Sequence, residues 1–182
     1  INGDTIQIIG GKGTHVTATI TDASPKACRV KIENTETAPF TPRKCHIAIA
    51  PTKSSDRFEW FLEKSTELGI NQITPLLCRQ SERKQIKPQR LERVITAATK
   101  QSLRLWRPDL KEMTPIKDFL EKDFSDNAKF IAYCEEKDRK ELVDELKKTE
   151  GKKEIVVLIG PEGDFSEEEI RLAKEQGFVP VS

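Results

Sequence analysis

Aromatic side chains are scarce in this chain: they make up 6% of its 182 residues, and there are only two His and one Met. His15 and His46 stand alone in strand-like runs. Neither has a Ser, Cys or carboxylate at triad spacing, so a hydrolytic nucleophile–base pair has no support. The four cysteines, Cys28, Cys45, Cys78 and Cys134, show no C-x-x-C spacing. That pattern argues against a metal site or a disulfide framework and fits a reducing, cytoplasmic setting. No apolar run approaches the ~18 residues of a membrane helix, and no signal peptide is visible. Charge of one sign is lacking too: 31 Lys and Arg face 30 Asp and Glu, for a net charge of +1. A nucleic-acid site must therefore come from local clustering. The dinucleotide fingerprint G-x-G-x-x-G and the phosphate loop G-x-x-x-x-G-K-[ST] are both absent.

What the chain does have is one well-signed corner, EIVVLIGPEGDFSEEEIRLAKEQG, from Glu154 to Gly177. Its start is a short aliphatic run without alternating polar residues, as expected of a central strand covered on both faces. Gly160 and Gly163 bracket a bend where the backbone can approach another group closely. Ser166 and Glu169 make a capping box, Phe165 can staple onto Ile170, and Gly177 ends the helix. Three acidic residues, Glu167 to Glu169, fill its first turn and would repel a phosphate there. The loop suits either a small ligand held by backbone groups or an ordinary strand-to-helix turn.

The rest of the chain divides in two. Residues 1–42 read as a small β domain: Thr5–Ile9 is strand-like, Gly10 to Gly13 is a turn, and Val16, Ala18 and Ile20, then Cys28, Val30 and Ile32, alternate with polar residues. From residue 43 to 182 strands and helices alternate, which predicts a parallel, doubly wound sheet. Expected strands are Cys45–Ala50, Ile73–Cys78, Lys129–Cys134 and Phe178–Val181. One helix is expected to be capped by Asp56 and Glu59, to bury Phe58, Phe61, Leu62 and Leu68, and to end at Gly69. A long helix opens at Pro88 with Leu91, Val94, Ile95, Ala98, Ser102 and Leu105 inward, and another, capped by Asp138, buries Leu142, Val143 and Leu146. Trp60 reads as a core or dimer contact.

Charge concentrates between Arg79 and Arg107, where nine Lys and Arg face two Glu. Arg83, Lys84, Lys87, Arg90, Arg93, Lys100 and Arg107 are candidate contacts to a polyanion, set against the plainer reading of a solvated helix face. Trp106, beside Arg104 and Arg107, is placed either to stack on a base or to pack on the core.

Three blocks resemble one family. LIGPEGDFSEEE, KSSDRFEWFLEKSTELGINQITPLLCRQSER and ATKQSLRLWRP are similar, in order, to the motifs of the RsmE family, methyltransferases of 16S ribosomal RNA with the knotted SPOUT fold. Asp164 departs from a common glycine, and the chain stops at Ser182, before the family's last motif. The resemblance implies an α/β SPOUT domain with a trefoil knot after a PUA-like RNA-binding barrel, both incomplete at the chain's ends, and a homodimer. It implies methyl transfer from S-adenosylmethionine to N3 of a uridine, without metal. The cofactor would meet Tyr133, Cys134, Glu135, Leu158, Ile159, Gly160, Pro161, Gly163, Val181 and Ser182, with Glu162 ordering the loop. Arg79 and Arg104 are candidates to stabilise the uracil anion, the family's main catalytic arginine being expected beyond Ser182. A related enzyme acting on another ribosomal or transfer RNA site, and a non-catalytic RNA-binding assembly protein, remain alternatives.

Overall fold

The computed structural model describes residues 1–40, 43–133 and 140–182. Strands β1 (Thr5–Ile9), β2 (Thr14–Ser24) and β3 (Ala27–Thr37) form an antiparallel sheet of their own. Ala18 stands opposite Ile6 and Ile32, and Ile20 opposite Val30, so the apolar residues share one face, as their alternation predicts.

The glycine-rich turn between β1 and β2 serves as a docking surface. Gly13 N–H donates to the Leu105 carbonyl at 2.8 Å and Arg107 N–H to that of Gly11 at 3.0 Å. The Trp106 indole occupies the space a Cβ on Gly13 would need, and Gly13 has φ +86°. Only glycine satisfies both conditions. Phe40 meets the same indole edge-on, with ring centroids 4.5 Å apart. Trp106 is therefore a wedge between the small sheet and the rest of the chain. The base-stacking role suggested for it is not compatible with that packing.

The second sheet is parallel. It comprises β4 (Lys44–Ile49), β5 (Gln72–Leu77), β6 (Asp109–Leu110), β8 (Ala128–Ala132), β9 (Glu154–Ile159) and β10 (Val179–Val181), ordered β10-β8-β9-β4-β5-β6, with β7 (Thr114–Pro115) also on β5. Two layers of helix cover it. Leu91 and Ile95 of α2 (Pro88–Gln101) pack with Phe58 and Leu62 of α1 (Ser55–Leu68) over Ile49 and Ile73. Leu142 and Leu146 of α4 (Leu142–Lys147) pack on Ile155 and Val157, on that same face of β9. On the other face, α3 (Ile116–Leu120) and α5 (Glu167–Glu175) bury Val156 and Leu158. Both faces of β9 are thus covered, which is why its sequence lacks polar alternation. No helix among the described residues is long and apolar enough to cross a membrane.

Several local expectations need correction. Helix α1 is capped by the extended backbone of Ser54 without a side-chain hydrogen bond; Asp56 lies in its first turn. Leu68, at 77% exposure, and Trp60, at 63%, point outward, so neither is core. Helix α2 ends at Gln101, with Ser102 as its C-cap, so Leu105 is outside it. Val143 is exposed, and Asp138 lies outside the described residues. His46 is buried, with Nε2 2.8 Å from Thr74 Oγ1 and its ring edge-on to Phe119. Burial, reinforced by Lys122 and Lys111, lowers its pKa to about 4, which makes it a neutral core residue.

Candidate functional site

In a sheet of parallel strands every C-terminal strand end lies along one edge, and in α/β folds ligands bind there. Register aligns Val181 with Ala132, Ala132 with Ile159, and Ile159 with Ile49. The residues that follow, Ser182, Tyr133 and Gly160, are therefore neighbours. Tyr133 N–H donates to the Val181 carbonyl at 3.0 Å, and Ala50 N–H to that of Ile159 at 2.9 Å. The expected cofactor residues Tyr133, Gly160, Val181 and Ser182 thus come together from three strands. Cys134 and Glu135 lie outside the described residues. Leu158 is fully buried and flanked by strands on both sides, so it supports the corner from beneath and offers no group to a ligand.

The loop after β9 is held by its own chain. A Cβ on Gly160 would sit 3.1 Å from the Phe165 ring, and one on Gly163 would be 2.5 Å from Gln80 Oε1. Asp164 adopts φ +66°, the left-handed conformation that favours glycine. Asp tolerates it here because Oδ1 accepts from Phe165 N–H at 2.7 Å, while its own N–H donates to the Pro161 carbonyl at 2.9 Å. The capping box is present as the sequence indicates.

Two carboxylates tie this corner to its neighbours. Glu162 Oε1 accepts from Lys53 N–H at 2.9 Å, in the loop after β4. That hydrogen bond holds the Glu162 carboxyl below the ordinary carboxylate range. Glu169 is buried; Oε2 accepts from Ser166 N–H and Oγ, both at 2.8 Å, and Oε1 accepts from Arg79 N–H at 2.7 Å. Lys53 pairs with Glu82 at 2.8 Å, and Arg83 donates to the carbonyls of Thr52, at 2.9 Å, and of Lys53. The loops after β4, β5 and β9 form one framework. The second role of Glu169 went unseen in the sequence because its capping signature accounts for it already, and Gln80 carries no local signal at all.

Arg79, with an exposed side chain, stands on this edge. Cys78 beside it is buried, and burial together with the Glu169 carboxylate pushes its thiol up to about 12, so it is no nucleophile near neutral pH. Arg104 is the second correction. Its guanidinium donates to the Glu67 carbonyl, from Nε at 2.7 Å, and packs under Gly69 at the C-terminus of α1. Helix α1 runs back from the end of β4 to the start of β5, so Arg104 lies at the opposite edge of the sheet from Gly160. It is a structural cap.

The basic segment is likewise divided. Helix α2 runs antiparallel to the strands, which puts Lys87 and Lys100 about 20 Å apart. Arg83 is committed to carbonyls, Arg90 pairs with Glu59 at 2.6 Å, and Arg107 pairs with Glu92. Arg79, Lys84, Lys87, Arg93 and Lys100 are exposed and carry no ion pair among the described residues. No group of three or more His, Cys, Asp or Glu arranged for a metal occurs among the described residues.

Residues 39–182 match the family model described as an RNA methyltransferase domain. The chain belongs to this RNA methyltransferase family. The ribosomal RNA small subunit methyltransferase E of Synechocystis is 30% identical over 185 residues, covering 99% of this chain and 59% of that protein. The protein of the same name from Rickettsia conorii is 26% identical over 170 residues, with 93% of this chain and 68% of that one covered. The resemblance to the RsmE type is thereby borne out. Among solved structures, a probable rRNA-methyltransferase from Porphyromonas gingivalis is 36% identical with a TM-score of 0.89, over the whole of this chain and 76% of that one. Ribosomal RNA small subunit methyltransferase E from Neisseria gonorrhoeae, solved bound to S-adenosylmethionine, is 25% identical with a TM-score of 0.85, again over the whole of this chain and 76% of that one. The chain thus spans about three fifths to two thirds of the curated relatives and about three quarters of the solved chains.

Proposed function

We propose that this protein methylates N3 of a uridine in 16S ribosomal RNA of the small ribosomal subunit, using S-adenosylmethionine, and that it works as a homodimer in the cytoplasm. The observation that carries the reading is the meeting of Tyr133, Gly160 and Ser182 at one edge of a parallel sheet, in a chain of the RNA methyltransferase family. In the same reading, residues 1–42 belong to a PUA-like RNA-binding barrel and residues 43–182 to a SPOUT domain whose β8 to β10 region forms the trefoil knot.

The corner fits the cofactor in kind. Its glycines make close approaches toward Phe165 and Gln80, where a Cβ would not fit. The main chain at Tyr133, Gly160, Pro161 and Gly163 would hold the ligand, without a metal, beside the Ser182 end of β10. S-adenosylmethionine, when bound, supplies a methyl group already activated by its sulfonium. The chain must then orient the base and stabilise the uracil anion left by loss of the N3 proton. In this reading Arg79 takes that charge; what supports it is an exposed side chain on a backbone held by Glu169. Lys84, Lys87, Arg93 and Lys100 would take the phosphates.

The test is methyl transfer from labelled S-adenosylmethionine to small subunits isolated from cells lacking the gene, followed by nucleoside mass spectrometry. A single N3-methyluridine is expected. Transfer to another nucleoside, or cofactor binding with no transfer to small subunits, would overturn the substrate assignment; absence of cofactor binding would favour an RNA-binding assembly protein.

A further inference from the structure

Beside the glycine corner, on the α1 and α2 face, lies a separate cavity of about 320 Å³. Phe58, Ile86 and Leu91 give it apolar walls, with Phe58 and Leu91 almost wholly buried. Arg83, Lys87 and Arg90 supply three cations at its rim against one carboxylate, Glu59. Glu59 holds Arg90 bidentately, Nε to Oε1 at 2.6 Å and Nη2 to Oε2 at 3.1 Å, which fixes the guanidinium that lines the cavity. Lys87 has no such partner among the described residues and is exposed. Ser55 and Gln85 add short-range donors and acceptors. Segment 52–55 is the partition between this cavity and the corner: Lys53 N–H bonds Glu162 of the glycine loop, and Ser55 lines the cavity.

We infer that this cavity is a nucleotide subsite, holding one unstacked base of single-stranded RNA next to the nucleotide that reaches the glycine corner. An apolar ligand would desolvate the Lys87 ammonium, which has no partner among the described residues, together with the Arg90–Glu59 pair, and would give neither a new partner. A bare phosphate would leave the apolar walls idle. A nucleotide uses both parts: the base lies against Ile86 and the Arg90 guanidinium, its polar edge reaches Ser55, Gln85 or Glu59, and its phosphate meets Lys87. Extruding the neighbour also frees the target base from its stack, which any enzyme acting on a base requires. The inference rests on the RNA reading of the previous section and adds to it a base-sized site outside the cofactor corner.

Gln85→Trp lays an indole into the cavity from its exposed rim and keeps every cation. Affinity for a short single-stranded RNA carrying the target uridine is expected to fall about tenfold, the worth of one stacked base, with the salt dependence and S-adenosylmethionine affinity unchanged. The same oligonucleotide made abasic at the flanking position should bind the parent protein about tenfold more weakly and lose its sensitivity to Gln85→Trp. Arg90→Met, which removes the guanidinium plane from the lining without filling the cavity, gives a second route to the same loss. Equal binding of intact and abasic RNA by the parent protein would overturn the base subsite. So would unchanged affinity in both variants, if Arg93→Glu still weakens binding; that result leaves the RNA reading standing. Unchanged affinity in all three variants would remove the RNA reading of this face and the subsite with it.

Discussion

Replacing Glu169 by Ala tests whether the glycine corner and the Arg79 loop are one mechanical unit. The carboxylate is 3% exposed and accepts three hydrogen bonds of 2.7 to 2.8 Å, from Arg79 N–H, Ser166 N–H and Ser166 Oγ. Hydrogen bonds to a charged acceptor contribute about 1.5–3 kcal/mol each, and losing a helix cap costs about 1 kcal/mol. Burying the carboxylate offsets a large part of that sum, and Arg79, being exposed, can turn its N–H to water. Ser166 is buried and cannot. The net loss is therefore about 3–4 kcal/mol. For a chain of this length it lowers Tm by roughly 6–16 °C. Glu169→Gln should fall between, because its amide keeps an acceptor for Arg79 but presents a donor to Ser166. Urea unfolding gives the energies, and hydrogen exchange at the Arg79 and Ser166 amides gives the location. An Ala variant within about 1 kcal/mol of the parent would refute the coupling, as would faster exchange at Ser166 with none at Arg79.

Other perturbations follow from the same geometry. The His46 pKa lies at about 4 in the folded chain against 6.5 unfolded, so its neutral form stabilises the fold fully above pH 6.5. That contribution, about 3 kcal/mol, is lost as pH falls from 6.5 toward 4, and a urea midpoint that stays flat across this window in the parent would disprove it. Asp164→Gly should be neutral or mildly stabilising by melting, while Asp164→Val, forced to positive φ, should lose about 1–3 kcal/mol. Gly13→Val should displace Trp106 from its niche and shift its fluorescence toward the red, since the other indole, Trp60, is already exposed. An unchanged spectrum would mean that the junction is looser than its packing indicates.

How much of this was legible in the sequence depended on whether the cause was local. The capping box at Ser166, the buried strand from Glu154 to Ile159 and the opening of α2 at Pro88 each have their reason within a few residues, and each appears where expected. Residues whose role is set by distant partners were read less well. Arg104 and Trp106 sit in a basic stretch that suggests RNA, yet one caps α1 and the other wedges against Gly13, contacts about 37 and 93 positions away along the chain. Leu68 fits the apolar stripe of α1 by spacing, but it falls in the helix's last turn, beyond the cover that α2 provides. The three-loop framework has no sequence signature, because β4, β5 and β9 become neighbours only when the chain returns to the middle of its own sheet.

That return also decides which positive charges are available to a partner. The arginines of the basic segment mostly serve the framework: Arg83 holds the Thr52 and Lys53 carbonyls, Arg90 holds Glu59, and Arg107 holds Glu92. The lysines Lys84, Lys87 and Lys100, with Arg93, remain free of ion pairs among the described residues. This division follows from side-chain chemistry, since a planar guanidinium satisfies fixed carbonyls and carboxylates with several donors, whereas an ammonium remains a mobile, hydrated point charge. Neutralising Lys84 and Lys87 together should therefore lower RNA affinity and reduce the salt slope by about 2, with little change in stability. Neutralising Arg83 should instead loosen segment 52–55, and through the Lys53–Glu162 hydrogen bond weaken the glycine corner, and the cofactor binding proposed for it, as well. If the Arg83 variant lost RNA affinity alone, with cofactor binding and melting intact, the framework would be a set of independent contacts, and the two sites along this edge would not share a support.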